Sequence, residues 1–182
     1  MKKFFISLFI IFFSVEASAS VENNIIQNLQ KTENLSFNFE QNINGKIENG
    51  KCTIEFPGKI FCNYNSDNNK VLVSNGRSLV IKTSNSYYIY PIDKTALNFI
   101  LNKEFLLDKI KILDERVINE KFINYNFSEN DNEINIFFDN KTYNLIGWQT
   151  LDIYQNLSIT YINSIIKNRK LKKNLFKLPI KN

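Results

Sequence analysis

The feature that most constrains this chain is a period-two alternation of apolar and polar side chains that recurs along most of its length. Leu35, Phe37, Phe39, Gln41 and Ile43 fall on one face of an extended segment, with polar residues between them. Successive side chains of a strand point to opposite faces, so such a segment buries one face and leaves the other solvated. Further strands are expected near 51–56 and 60–65 around Pro57-Gly58-Lys59, near 70–74 and 78–83 around Asn75-Gly76, and near 87–92. Asn-Gly is a strong short-range hairpin signal. Strands near 112–120, 122–128, 132–139, 143–150 and 157–163 complete the pattern, and Phe122 to Phe127 and Glu133 to Asp139 alternate clearly.

The period changes twice. Val21, Ile25, Ile26 and Leu29 form a helical stripe within Val21 to Glu33. Ala96, Phe99, Ile100, Leu106, Leu107, Ile110 and Leu113 recur at three-to-four spacing, which predicts one or two short helices with Asp93 or Thr95 as the starting cap. The expected order is a helix, about five strands, a helical insert, then five or six strands. A long antiparallel meander curls to protect its edges and bury its apolar face. The expected fold class is therefore mainly β (α+β), an incomplete antiparallel β-barrel or strongly curved sheet with helices on its concave side. Periodicity alone allows either a solid core or a hydrophobic cavity there.

At the N-terminus, Lys2 and Lys3 precede an apolar run from Phe4 to Phe13, and Ala17-Ser18-Ala19 is a small-x-small site. This is the pattern of a secretory signal peptide cleaved after Ala19, leaving 20–182 as a single exported domain. Ser20 follows the cut, so the mature chain is not expected to be lipidated at its own N-terminus.

The formal net charge of +5 is unevenly placed. Residues 167–182 hold Lys167, Arg169, Lys170, Lys172, Lys173, Lys177 and Lys181 and no acid, which leaves the body slightly acidic. A generally basic nucleic-acid binder is therefore not expected. The tail either meets anionic headgroups or an acidic partner, or is a solvated end whose Leu171, Phe176, Leu178 and Ile180 pack in part.

Zero His removes Ser-His and Cys-His catalysis and His-ligated metals, and two Cys are too few for a Cys-only zinc site. No metal and no cofactor are expected. Cys52 and Cys62 flank Pro57 symmetrically, so they face each other across the hairpin or lie one step off register. In an oxidising compartment a disulfide is expected, two reduced buried thiols being the alternative. Trp148 reads as a core residue without assigned function, and the scattered carboxylates form no recognisable catalytic pair.

Phe39-Glu40-Gln41, Gly50 to Pro57 with its Pro-Gly hairpin, and Val71-Leu72-Val73-Ser74-Asn75-Gly76-Arg77-Ser78-Leu79 resemble, in order and spacing, the LolA family of outer-membrane lipoprotein carriers. Thr95 to Lys103 sits where that family has a helical lid, and Phe176-x-x-Pro179 echoes its C-terminal end. Phe56 stands where the family often has Arg, so a lid here is expected to be held by apolar contacts alone.

The resemblance implies a helical lid over a hydrophobic cavity that holds the acyl chains of lipoproteins. Candidate lining residues are Phe39, Ile54, Ile60, Leu79 and Ile81 from strands and Phe99, Ile100 and Leu106 from the lid. It further implies a monomeric, non-enzymatic periplasmic carrier. Its partners would be acylated lipoproteins, an inner-membrane lipoprotein-releasing ABC transporter, and an outer-membrane receptor or the membrane itself. A related lipid-binding or envelope-sensing module is the alternative, and a small periplasmic enzyme a more distant one.

Overall fold

The computed structural model describes residues 20–152 and 154–181, so the expected signal peptide lies outside the described residues. Helix α1 (Val21–Gln30) is followed by β1 (Asn34–Ile43), β2 (Lys46–Glu55), β3 (Lys59–Tyr64), β4 (Val71–Asn75), β5 (Ser78–Lys82) and β6 (Tyr87–Pro91). A single 3-10 turn (Ile92–Lys94), α2 (Leu97–Ile100) and α3 (Lys103–Ile112) make the insert. The chain then forms β7 (Arg116–Ile118), β8 (Phe122–Glu129), β9 (Asn132–Asp139), β10 (Leu145–Leu151) and β11 (Leu157–Lys167).

These strands form one antiparallel sheet in the order β6-β5-β4-β3-β2-β1-β11-β10-β9-β8-β7. It is the open, curved, mainly β architecture expected. The two edge strands, β6 and β7, are the ones that the helical insert joins in sequence. The insert thus connects the edges of a barrel that does not close.

Register explains which side chains share a face. Tyr88, Ile81, Leu72, Cys62, Cys52 and Phe37 are successive partners across six strands and point to the concave side. On the convex side Ile166, Ser36, Thr53, Phe61, Val73 and Val80 form the equivalent row. A bulge in β11 opposite Ser36–Asn38 carries Ser164 at φ 53°. Gly50 lies under the Phe39 ring; a Cβ there would come within 2.9 Å of it. The Gly also lets the Phe39 and Tyr64 rings meet edge-on, 4.9 Å apart.

Helix ends follow local chemistry. The Ser20 hydroxyl accepts from the Asn23 N–H (3.2 Å) and starts α1. The helix stops at Gln30, short of the expected Glu33, because Thr32 turns back and donates its hydroxyl to the Asn28 carbonyl (2.8 Å). Neither Asp93 nor Thr95 caps an α-helix: the Thr95 hydroxyl donates to the Ile92 carbonyl, and Asn102 caps α3 by accepting from the Phe105 N–H (3.1 Å). The strand expected from 112 is reduced to Arg116–Ile118, since α3 continues through Ile112.

The C-terminal segment forms no strand. Asn34 holds its start, donating to the Arg169 carbonyl (3.2 Å) and accepting from the Arg169 N–H (3.1 Å). It then crosses the convex face. The Lys59 ammonium lies 5.9 Å from the Phe176 ring, and Lys82 donates to the Ile180 carbonyl (2.8 Å). Val73 and Val80 are buried on this face, outside the main core.

Candidate functional site

The concave face is filled at one end and hollow at the other. Under β8 and β9, α1 and α3 bring Ile25, Leu29, Leu106 and Ile110 into one core with Ile123, Tyr125, Ile136 and Phe138. Phe105 bridges Phe99 (5.2 Å) and Phe127 (5.7 Å) between ring centroids. Toward β3–β6 the helices are only α2 and the 3-10 turn, and a cavity of about 410 Å³ remains. That volume is within the range of small-molecule sites, roughly 300–1,000 Å³.

Four of the eight expected lining residues, Phe39, Ile60, Leu79 and Ile81, line this cavity. The other four, Ile54, Phe99, Ile100 and Leu106, belong to the packed core and do not line it. Both helices turn their buried side chains into that core, Phe99 and Ile100 from α2 and Leu106 from α3, so that Leu97 alone of α2 borders the hollow part.

Sequence reasoning passed over Leu72, Leu97 and Trp148, all of which line the cavity. Leu72 was recoverable, since the hairpin at Asn75-Gly76 puts it on the same face as Leu79 and Ile81, and the structure pairs it with Ile81. Trp148 depends on the β10–β11 pairing, which brings it beside Thr160, and on Phe37, which it meets edge-on at 6.3 Å.

One rim of the cavity is polar. Gln41 donates to Ser158 (3.0 Å) and Thr160 (3.2 Å) and accepts from the Tyr64 hydroxyl (3.2 Å). Lys70 pairs with Glu48 and sits 4.2 Å from the centroid of the Tyr64 ring. Burial works against charge on Glu48, but hydrogen bonds and charge from Lys70 and Lys46 hold its carboxyl below the usual value. Burial, reinforced by the Glu48 charge, raises the Tyr64 hydroxyl well above its ordinary range. At the mouth, burial and a hydrogen bond with Tyr154 push Tyr90 up to about 12.

The insert is held by more than apolar contact, contrary to expectation. The Gly58 N–H, in the turn after a cis Phe56–Pro57 peptide, donates to the Leu101 carbonyl (2.9 Å). Lys103 donates to the Thr32 carbonyl (3.1 Å), and Lys109 pairs with Glu129 (2.8 Å). Backbone amides and lysines here serve where an arginine beside the turn was missing.

Cys52 and Cys62 are directly opposed on β2 and β3, with Cα atoms 4.1 Å apart, and are joined as a disulfide. Among the described residues no cluster of three or more His, Cys, Asp or Glu side chains is placed to hold a metal. Of the basic segment, Lys167 is no free tail residue: it ends β11, donates to Asn28 of α1, and burial lowers its pKa. Arg169, Lys170, Lys172 and Lys173 are exposed.

Comparison with known proteins adds the following. The family model described as outer membrane lipoprotein carrier protein LolA matches residues 30–179. A search of curated proteins returns no match. Among solved structures the chain is similar to the LolA superfamily protein NE2245 from Nitrosomonas europaea, with 7% identity, TM-score 0.44, and 88% of this chain and 99% of that chain covered. It is also similar to MucB in the Pseudomonas aeruginosa MucA/MucB complex, with 11% identity, TM-score 0.48, and 87% and 60% covered. A third likeness is to the Mycobacterium tuberculosis lipoprotein LppX, with 10% identity, TM-score 0.43, and 83% and 96% covered.

Proposed function

The chain belongs to the LolA family of outer membrane lipoprotein carrier proteins, and from that premise we propose that it is a periplasmic carrier that holds the acyl chains of lipoproteins in its concave cavity. The observation that carries this reading is the cavity itself, where Phe39, Ile60, Leu72, Leu79, Ile81 and Trp148 present apolar surface beside a polar rim. Residues 20–182 act as one carrier domain. The work is burial and release, without catalysis and without a cofactor.

The energetics suit such a shuttle. Burying lipid contributes about 0.8 kcal/mol per CH₂, or roughly 10 kcal/mol gross for one long chain. Opening and ordering the site offsets much of that, which keeps release possible. Cargo would come from an inner-membrane ABC transporter and pass to an outer-membrane receptor or directly to the membrane.

The test mixes the purified chain from Ser20 onward with inner-membrane vesicles, ATP and the cognate transporter. The expected result is a lipoprotein released as a soluble one-to-one complex with the carrier. A folded protein that retains no acylated cargo would sink the reading.

A further inference from the structure

A second recess lies on the convex side of the sheet, away from the cargo cavity. It has a volume of about 510 Å³ and is bounded by β1, β2, β3, β11 and the C-terminal segment. Three cations line it: Lys51 on β2, and Arg169 and Lys172 on the segment that crosses the face. No carboxylate lines it, and none of the ion pairs between described residues engages any of the three. Register explains the convergence. Lys51 lies between Asn38 and Asn63 on the convex side, and Asn34 pins Arg169 at the start of the crossing segment.

The remaining wall is mixed. Thr53 and Asn63 contribute uncharged donors, while Ile166 and Leu171 contribute apolar surface, with Ile166 left 55% exposed. Cations without a competing acid attract an anion. Apolar surface beside them suits the glycerol and upper acyl region of an amphiphile better than a free inorganic ion. Lys170, Lys173 and Lys177 extend the same sign of charge over the neighbouring surface, which suits the plane of an anionic bilayer.

We propose that this convex recess binds the headgroup phosphate of an anionic phospholipid and so docks the protein on an anionic membrane surface. The site is separate from the cargo cavity and does not depend on the carrier reading. It uses Lys51, from the body of the sheet, as well as the basic segment.

The test is flotation of the chain from Ser20 onward with vesicles of phosphatidylcholine alone or of an equimolar mixture with phosphatidylglycerol. Binding is expected to the mixed vesicles only, and to weaken with added salt. Lys51→Gln and Lys172→Gln should each reduce it about five-fold, the effect of one cation at an anionic surface. Lys121→Gln, exposed in the turn between β7 and β8 and outside both the recess and the basic segment, should change it by less than about two-fold. Equal binding to both vesicles, binding to neither, equal losses at Lys51 and Lys121, or displacement by inorganic phosphate beyond that caused by sodium chloride of equal ionic strength would each overturn the proposal. Retention of an acylated fluorescent probe, read in parallel, should be the same in all variants, so a failed cargo site and a failed headgroup site give different results.

Discussion

Strands β8 and β9 are packed solid by α1 and α3, whereas β2–β6 face a cavity that only α2 and a 3-10 turn border among the helices. Both halves carry the same alternation on their concave side. In the filled half Ile123, Ile134 and Leu106 are fully buried, with 0% exposure. In the hollow half the corresponding Leu72 and Ile81 are only half-buried, and Tyr88 is 45% exposed. The difference lies in what the insert supplies and not in the strands. It also bears on stability, because a hollow half forgoes the contact energy that holds the filled half together. The disulfide lies within the hollow half, on β2 and β3. A covalent staple there substitutes for packing that a binding site has to leave unmade.

Truncation on either side should break this contrast most visibly. Leu106→Ala opens a void in a filled core and should destabilise by about 3 kcal/mol. Leu72→Ala enlarges a space that already exists, and the loss should stay below about 1 kcal/mol. Denaturant midpoints measure both. Similar losses would mean that the two halves are packed alike.

Next in size is the staple. Replacing both cysteines, Cys52→Ser with Cys62→Ser, frees a ten-residue separation in the unfolded chain and should destabilise by about 2–3 kcal/mol. Reductant should lower the wild-type stability to the same level and leave the double variant unchanged. If protection against hydrogen exchange then falls across β2–β6 while β8–β10 hold, the two halves are held by different means.

A smaller effect is expected where α3 begins. Asn102→Ala removes the cap of α3, at about 1 kcal/mol. The loss should appear as faster exchange of the first-turn amides of α3, including the Phe105 N–H. Unchanged exchange there would show that packing of Leu106 and Ile110 fixes the helix end without the cap.

These residues also show how far the sequence could be read. Alternation placed the strands because a half-buried strand imposes its own period, and the turn signals made neighbours of β4 and β5 and of β2 and β3; the hairpin left Cys52 and Cys62 directly opposed or one step off register, and the structure has them directly opposed. Ile112 and Leu113 satisfied both periods, so the helix-to-strand boundary could not be located from them. The division between cavity and core was illegible for a different reason. Leu106 and Leu72 are chemically alike, and only the depth to which α3 reaches decides that one is packed and the other open. Trp148 became a cavity residue through a pairing between β10 and β11 that no local pattern announces.

The polar rim offers the finest test of the contrast, because there the hollow half is held by charge. Glu48 has its folded pKa below the usual 4.5, against the opposing effect of burial, through Lys70 and Lys46. A carboxyl with a depressed folded pKa contributes stability that is present above its unfolded pKa and lost as pH falls through the folded one. The contribution should be below about 1 kcal/mol, since one of its partners, Lys46, is solvent-exposed. The stability gap between wild type and Glu48→Gln should therefore be constant near neutrality and shrink once the pH drops below about 4.5. A gap that stays flat into acid would mean that Lys70 is placed by its contact with the Tyr64 ring and not by Glu48. The rim would then owe its position to the same aromatic packing that lines the cavity.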